Sequence, residues 1–326
     1  MRRFILATLG IMLAVWVISR GAALGQARQT NQTPRPVSLA AALGGRLAVL
    51  RSADGRASYI PGMFEGVSSI AVTPDGHSIM VGPANCEKDW IEQIDIATGA
   101  VKEFVGGADF PVVNSKGAVM ARSEHGVVVI SSRDAKGLVA YAIRCDGHGI
   151  FGFTDILTGQ NARRGAFGEL DLSDAATSVR PLAWLSDGRT LFYEVTLVGE
   201  IHPRYYFGKL WPLVSPREEM FRRIGTVLHE TGSDPTAAAL IDDNTVAFAQ
   251  DAAGGSRVRE WDVANEKFLG EERSFSLPDR ITALTADPSG VHFLAVTEGR
   301  ILYRWSVGDL APARLAEGVS AAAWRP

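Results

Sequence analysis

One unit recurs along this chain: an apolar strand, a tight turn rich in Asp, Gly, Pro and Ser, and a second apolar strand. Such recurrence limits the fold more than any other feature of the sequence. Ser69-Ile70-Ala71-Val72-Thr73-Pro74-Asp75-Gly76 leads to Ile79-Met80-Val81. Pro181-Leu182-Ala183-Trp184-Leu185-Ser186-Asp187-Gly188 leads to Leu191-Phe192-Tyr193, and Ala283-Leu284-Thr285-Ala286-Asp287-Pro288-Ser289-Gly290 leads to Phe293-Leu294-Ala295-Val296. A fainter copy runs from Ala238 through Asp242-Asp243-Asn244 into Val246-Ala247-Phe248. The turn composition has a cause. An Asp side chain bonds its own backbone two residues on, and Gly or Asn accepts a positive φ, so the chain reverses between paired strands.

A second hairpin follows the first. Ile91-Glu92-Gln93-Ile94-Asp95-Ile96-Ala97-Thr98-Gly99 matches Ile150-Phe151-Gly152-Phe153-Thr154-Asp155-Ile156-Leu157-Thr158-Gly159. Gly76 precedes Gly99 by 23 residues, and Gly137 precedes Gly159 by 22. That spacing makes 127–131 and 138–143 the first hairpin of another unit. Turns at Gly76, Gly137, Gly188, Asn244 and Gly290 mark five units. A sixth is split between the chain ends. Gly45-Arg46-Leu47-Ala48-Val49 with Glu65-Gly66-Val67-Ser68 aligns with Gly299-Arg300-Ile301-Leu302-Tyr303 and Glu317-Gly318-Val319-Ser320. Residues 320–324 are therefore expected to pair beside Leu39 to Leu43 and remove an open edge. The pattern predicts an all-β β-propeller of six blades, each a four-stranded antiparallel sheet, closed by the C-terminal strand joining the N-terminal strands. Six units over residues 37–326 average about 48 residues each, near the usual blade length. A hairpin at 110–114 and 118–122 stands outside this frame. It reads as an insertion, or as a seventh blade.

The hairpins Val72-Thr73-Pro74-Asp75-Gly76-His77-Ser78-Ile79-Met80 and Trp184-Leu185-Ser186-Asp187-Gly188-Arg189-Thr190-Leu191-Phe192 resemble the repeat of TolB-like propellers, and the frame is WD-repeat-like. The resemblance covers the repeat frame from about residue 37 onward. It implies architecture and not a role, because the motif is turn and core chemistry shared by binding scaffolds and enzyme accessory domains. Several copies lack the Ser-Pro of that family's turn.

The N-terminus reads differently. Arg2 and Arg3 precede an uncharged run at 4–18, and Arg20 and small residues to Ala27 follow. This is the layout of a secretory signal over 1–27, with Gly25-Gln26-Ala27 as a cleavage site. An uncleaved anchor is the alternative, in which case the chain meets a membrane only through residues 4–18. Residues 28–36 are polar and proline-broken, a linker ahead of the propeller at 37–326. Either reading exports the propeller, to the periplasm or the cell exterior, free or membrane-anchored. The net charge of −3 supplies no basic field for nucleic acid.

No catalytic signature is present: no Gly-x-Ser-x-Gly, no His-Glu-x-x-His, no phosphate loop, no dinucleotide fingerprint. His77 and His292 fall at or near hairpin turns and read as solvated. Asp75 and Asp187 read as turn-formers, since glycoside chemistry needs two carboxylates facing one site. Cys145, Asp146 and His148 lie close enough to suggest a metal, but the run Cys145-Asp146-Gly147-His148-Gly149 reads as a glycine-rich loop. No metal site and no cofactor are expected. Cys86 and Cys145, the two cysteines, fall in comparable inter-strand loops and are expected to form a disulfide if exported and if residues 108–123 are an insertion that leaves their units adjacent; two unpaired thiols are the alternative. The stretch around His202, Arg204, Tyr205, Tyr206 and Trp211 lies in a unit of extra length, with Gly188 preceding Asn244 by 56 residues. Long aromatic loops on rigid scaffolds are where binding concentrates. These five residues are the candidate binding set, with Tyr205, Tyr206 and Trp211 expected to be partly exposed on one rim; inward-facing strand core is the alternative.

Two functional readings follow. One is a non-catalytic scaffold binding a protein, peptide or envelope component of unknown identity. The other is a propeller enzyme of lactonase, lyase or hydrolase type with its site in the central channel. The Ala- and Val-rich strands assigned innermost favour binding. Clustered carboxylates and histidines in the channel would favour catalysis.

Overall fold

In a computed structural model the Asp-centred turns close as their chemistry requires. The structure describes residues 38–83, 90–106, 108–114, 119–123, 127–131, 139–142, 153–155, 161–162, 176–188, 190–197, 202–209, 221–225, 228 and 234–325. Asp75 Oδ1 accepts from the His77 N–H at 3.0 Å and the Thr73 hydroxyl at 2.6 Å, while Gly76 takes φ +68°. Asp187 accepts from the Thr190 N–H and hydroxyl at 2.7 and 2.6 Å. Asp287 Oδ1 accepts from the N–H groups of Val291 and His292. The outer turns repeat the device. Asp95 takes the N–H groups of Ala97 and Thr98, and Asp262 those of Ala264 and Asn265. Each carboxylate thus satisfies backbone donors that the reversal would leave unpaired.

These turns join strands into six sheets among the described residues. Sheet I runs Val319–Trp324, Ser38–Leu43, Arg46–Arg51, Ala57–Tyr59, from inside to outside. Sheet II begins with Val67–Val72, sheet III with Ala108–Val113, sheet IV with Ala176–Trp184, sheet V with Pro235–Asp242 and sheet VI with Ile281–Ala286. Sheets I, II, IV, V and VI have the four-strand path of a blade, with Ser274–Leu277 as an extra partner in sheet V. Each first strand touches the next in cyclic order, from II through III, IV, V and VI to I and back to II. The fold is an all-β β-propeller. The expected closure is present: Leu39 pairs with Trp324, Ala40 with Ala323, Ala41 with Ala322 and Ala42 with Ala321.

The core lies between sheets, which explains why the strands read as continuous apolar runs. Along a strand successive side chains face opposite ways. In sheet I, Ala40, Ala42 and Leu47 pack towards sheet II, while Leu39, Ala41, Ala48 and Leu50 pack towards sheet VI. In sheet V, Ala237, Ala239, Ala247 and Ala249 face sheet VI, and Ala238, Val246, Phe248 and Trp261 face sheet IV. Both parities are buried. Each Leu or Phe so enclosed contributes about 1.5–3 kcal/mol of transfer free energy.

Sheet III corrects two expectations. It has six strands: Ala108–Val113, Val119–Ser123, Val127–Ser131, Val139–Ala142, Phe153–Asp155 and Asn161–Ala162. Five sheets thus have the expected four-strand path of a blade, and sheet III does not. The 108–123 hairpin is neither an insertion nor a separate blade, because it supplies the two inner strands. Val127–Ser131 is third in order instead of innermost. Two bonds fix the hairpin in the ring. Phe110 N–H donates to Ser69 Oγ of sheet II at 3.1 Å, and Trp184 Nε1–H of sheet IV donates to Val112 O at 3.3 Å.

The turn carboxylates set an acid limit. Bonds from Thr98 and Asn265 hold Asp95 and Asp262 below the usual carboxylate range. A lowered folded pKa gives stability that is complete above the unfolded value, about 3.9, and is lost as pH falls through the folded value. Asp95→Ala and Asp262→Ala should each lower Tm at pH 6.5. Melts at pH 2.5 should show the gap to wild type closing; an unchanged gap would refute the role of the charge.

Candidate functional site

The first strands surround a central channel, and their composition follows from its geometry. Near the axis neighbouring strands converge, so only small side chains fit between them. Ala238, Ala239, Ala283, Ala321, Ala322 and Ala323 line a cavity of about 190 Å³, with Ile70, Pro111, Leu182 and Leu240. One charged side chain reaches this lining among the described residues, Arg180. It forms an ion pair with Glu194 at 2.7 Å and lies 5.1 Å from the Phe110 ring centroid.

Five first strands begin with a one-residue bulge, and in sheets I, II, V and VI that bulge is built around a hydroxyl. In those four the extra residue is Ser68, Thr236, Thr282 or Ser320. A bulge breaks the ladder and frees a carbonyl, and here a hydroxyl restores the bond. Ser68 donates to Gly82 O, Thr236 to Ala249 O, Thr282 to Val296 O and Ser320 to Val67 O of the adjacent sheet. Sequence reasoning missed this ring of hydroxyls. Its signal was a Ser or Thr just ahead of each small apolar run.

At the same end of the channel lies a second cavity, of about 540 Å³, between sheets I, II and VI. Ser68 and Ser320 line both cavities. The walls come from the two aligned copies noted in the sequence: Gly45, Gly66 and Val67 from one, Arg300, Gly318 and Val319 from the other. Gly66 and Gly318 have φ +72° and +71°, and an added Cβ on either would meet nothing within 4 Å. They turn the chain into the inner strands and leave the cavity open. Phe64 and Val296 supply apolar surface, and Glu298 and Arg300 stand at the mouth. Met63, 63% exposed, lies beside it near Gly45.

The aromatic candidates sit elsewhere. Tyr205 and Tyr206 are 1% and 7% exposed, which corrects the expected rim position. Tyr205 stacks on Phe192 and packs against Phe248 of sheet V, while Tyr206 stacks on Tyr193. The cause is burial of both sheet faces, which leaves neither parity for solvent. That burial raises the Tyr205 phenol well above its ordinary pKa. His202 and Arg204 are half-buried, and Trp211 lies outside the described residues. So do Cys86, Cys145, Asp146 and His148. His77 is exposed, whereas His292 is half-buried, with Nδ1 2.8 Å from Ser306 Oγ, so its expected solvation is corrected. Asp75 and Asp187 serve turns, as expected. Glu260, whose carboxyl burial raises in pKa against the pull of Arg273, lies in the third strand of sheet V and not in the channel lining. Among the described residues no three His, Cys, Asp or Glu side chains are grouped to hold a metal.

No family model matches the chain, and no curated protein matches it. Solved structures similar in fold include two propellers. The structure of TolB from Acinetobacter baumannii matches with a TM-score of 0.55 at 16% identity, over 89% of this chain and 66% of that one, so this chain spans just under two thirds of TolB. The β-propeller domain of Cps50 (Swd1) from Myceliophteria thermophila matches with a TM-score of 0.52 at 13% identity, over 85% of this chain and 98% of that one.

Arg180 and Glu194 are largely buried, so each depends on the other. Removing one partner strands a charge. A double-mutant cycle with Arg180→Ala and Glu194→Ala, read by urea unfolding, should give a coupling of about 1–3 kcal/mol. Additive losses would show that the pair does not act as a unit.

Proposed function

We propose that this protein is an exported, six-bladed propeller scaffold that binds a protein or peptide partner over the channel mouth and catalyses no reaction. The observation that carries the reading is the mouth itself: a 540 Å³ cavity, in the usual size range of ligand sites, continuous with a channel of small apolar residues. The count of six is supported by the six sheets and their cyclic contacts. Export rests on the signal-like residues 1–27, and places the propeller in the periplasm or outside the cell. Among the described residues no helix is long and apolar enough to cross a membrane; residues 4–18 lie outside them.

The test is site-specific photo-crosslinking in cells that export the protein. A photoreactive residue at Met63, beside the cavity, should capture a discrete partner. The same residue at Leu310, fully exposed in the turn after Ile301–Ser306, should not. Equal capture from both positions, or none from Met63, would reject the reading.

A further inference from the structure

We propose that the outer edge of sheet I, the strand Ala57–Tyr59, takes an extended, acidic-flanked segment of another protein as a fifth strand. This surface is separate from the cavity at the channel mouth and does not depend on it.

The register fixes which backbone groups are spare. Ala48 faces Tyr59, Val49 faces Ser58 and Leu50 faces Ala57. Arg51 N–H donates to Arg56 O at 3.0 Å, and Ile60 N–H donates to Leu47 O at 2.9 Å. Bonded and non-bonded pairs alternate along an antiparallel ladder. The bonded pairs are therefore Leu47 with Ile60, Val49 with Ser58 and Arg51 with Arg56. It follows that the N–H and C=O groups of Ala57 and Tyr59 point away from the sheet. Among the described residues nothing pairs with them. All three residues of the strand are exposed.

Sheet edges are ordinarily shielded by charge, proline, bulges or a covering loop. Other outer strands of this protein have such shields. Val101–Gly106 contains Lys102 and Glu103 and pairs across a bulge. Ala313–Glu317 contains Arg314, pairs across a bulge, and has its Leu315 carbonyl 2.4 Å from where a Cβ on Gly55 would lie. Phe221–Ile224 contains Arg222 and Arg223. Ala57–Tyr59 has no charge, no proline and an unbroken register. The chain on either side of it is held: Gly55 lies against sheet VI, and the Pro61 carbonyl abuts Gly99 of sheet II. A firm, uncharged, unpaired edge is a template for an added strand.

Chemistry selects the occupant. Tyr59 is 49% exposed, with the Arg46 guanidinium 4.2 Å from its ring centroid. An aromatic ring at this place favours a β-branched side chain across from it. Arg46 and Arg56 flank the edge, and Asp54 in the adjoining turn is already held by two bonds from Arg51. The Arg56 side chain is 82% exposed and reaches Asp54 only at 3.5 Å. Acidic flanks on the incoming segment meet these cations. A second copy of this chain does not, because a two-fold pairing sets Ala57 opposite Tyr59 and brings Arg56 of one copy to Arg46 of the other.

The test uses the purified protein, labelled with nitrogen-15 at alanine and tyrosine, and acetylated, amidated peptides of alternating valine and threonine. One peptide ends in glutamates and one in lysines. A third repeats the glutamate peptide with every backbone amide N-methylated. The glutamate peptide should shift the Ala57 and Tyr59 amides saturably and slow their exchange with solvent; the other two should not. Ala57→Pro removes an outward donor and no ladder bond. It should melt as wild type does and bind about fivefold more weakly, the scale of one hydrogen bond. Arg46→Gln with Arg56→Gln should weaken binding by about threefold. The N-methylated peptide leaves the protein unaltered, so it decides the matter if Ala57→Pro fails to fold. Lysine-ended or N-methylated peptide binding as tightly as the glutamate peptide would overturn the proposal. So would no shift at Ala57 and Tyr59, or an affinity that folded Ala57→Pro leaves unchanged. Dimerisation of the protein alone, abolished by Ala57→Pro, would also overturn it, assigning the edge to self-association. Crosslinking at Met63 reports on the mouth and is independent of these results.

Discussion

Val319–Trp324 pairs along Ser38–Leu43 through three facing alanine pairs and their neighbours, and the rest of the structure depends on that ladder. Sheet I owes its innermost strand to residues almost three hundred positions from its second. Without the pairing, Ser38–Leu43 would present an unpaired edge, and sheets VI and II would lose the layer between them. Both apolar layers of sheet I, to II and to VI, contain residues of both partners. Arg325 extends the join. Its N–H donates to Ser38 O and its Nε–H to Gly76 O in sheet II, so the chain end fastens two sheets at once.

Closure sets the character of the centre. Converging strands demand small residues, and the alanines that meet this demand leave a narrow, apolar channel. Polar groups are displaced to its mouth, where bulges open the ladder and Ser or Thr hydroxyls repair it. The device that stabilises each bulge also fixes which way its hydroxyl points. The hydroxyls at the mouth are thus a by-product of how the inner strands begin.

Much of this was legible in the residues. The matched runs from Gly45 and Gly299 foretold the closing pair, and Asp75, Asp187 and Asp287 foretold their turns. Sheet III was misread because its inner hairpin joins strands through Ser115-Lys116-Gly117, without the Asp-Gly signal, while Gly137 carried a turn-like context in the outer part of the sheet. Phe110 at φ +48° and the bulge between Asp109 and Val112 depart from regular strand geometry as well. Tyr205 and Tyr206 were misplaced for a different reason. Alternation distinguishes core from solvent only where one face is wet, and in these packed sheets neither is. The mouth cavity was missed although its walls had been noticed, because the Glu-Gly-Val-Ser copies were read as evidence of closure alone.

Native-state hydrogen exchange tests the closing ladder most directly. If it holds the ring, the amides of Ala322 and Ala323 should exchange only through global unfolding, with protection equal to that of Ala247 and Ala249 in sheet V. Exchange on the order of a hundredfold faster at the C-terminal strand, with sheet V still protected, would show a fraying tail and contradict the account.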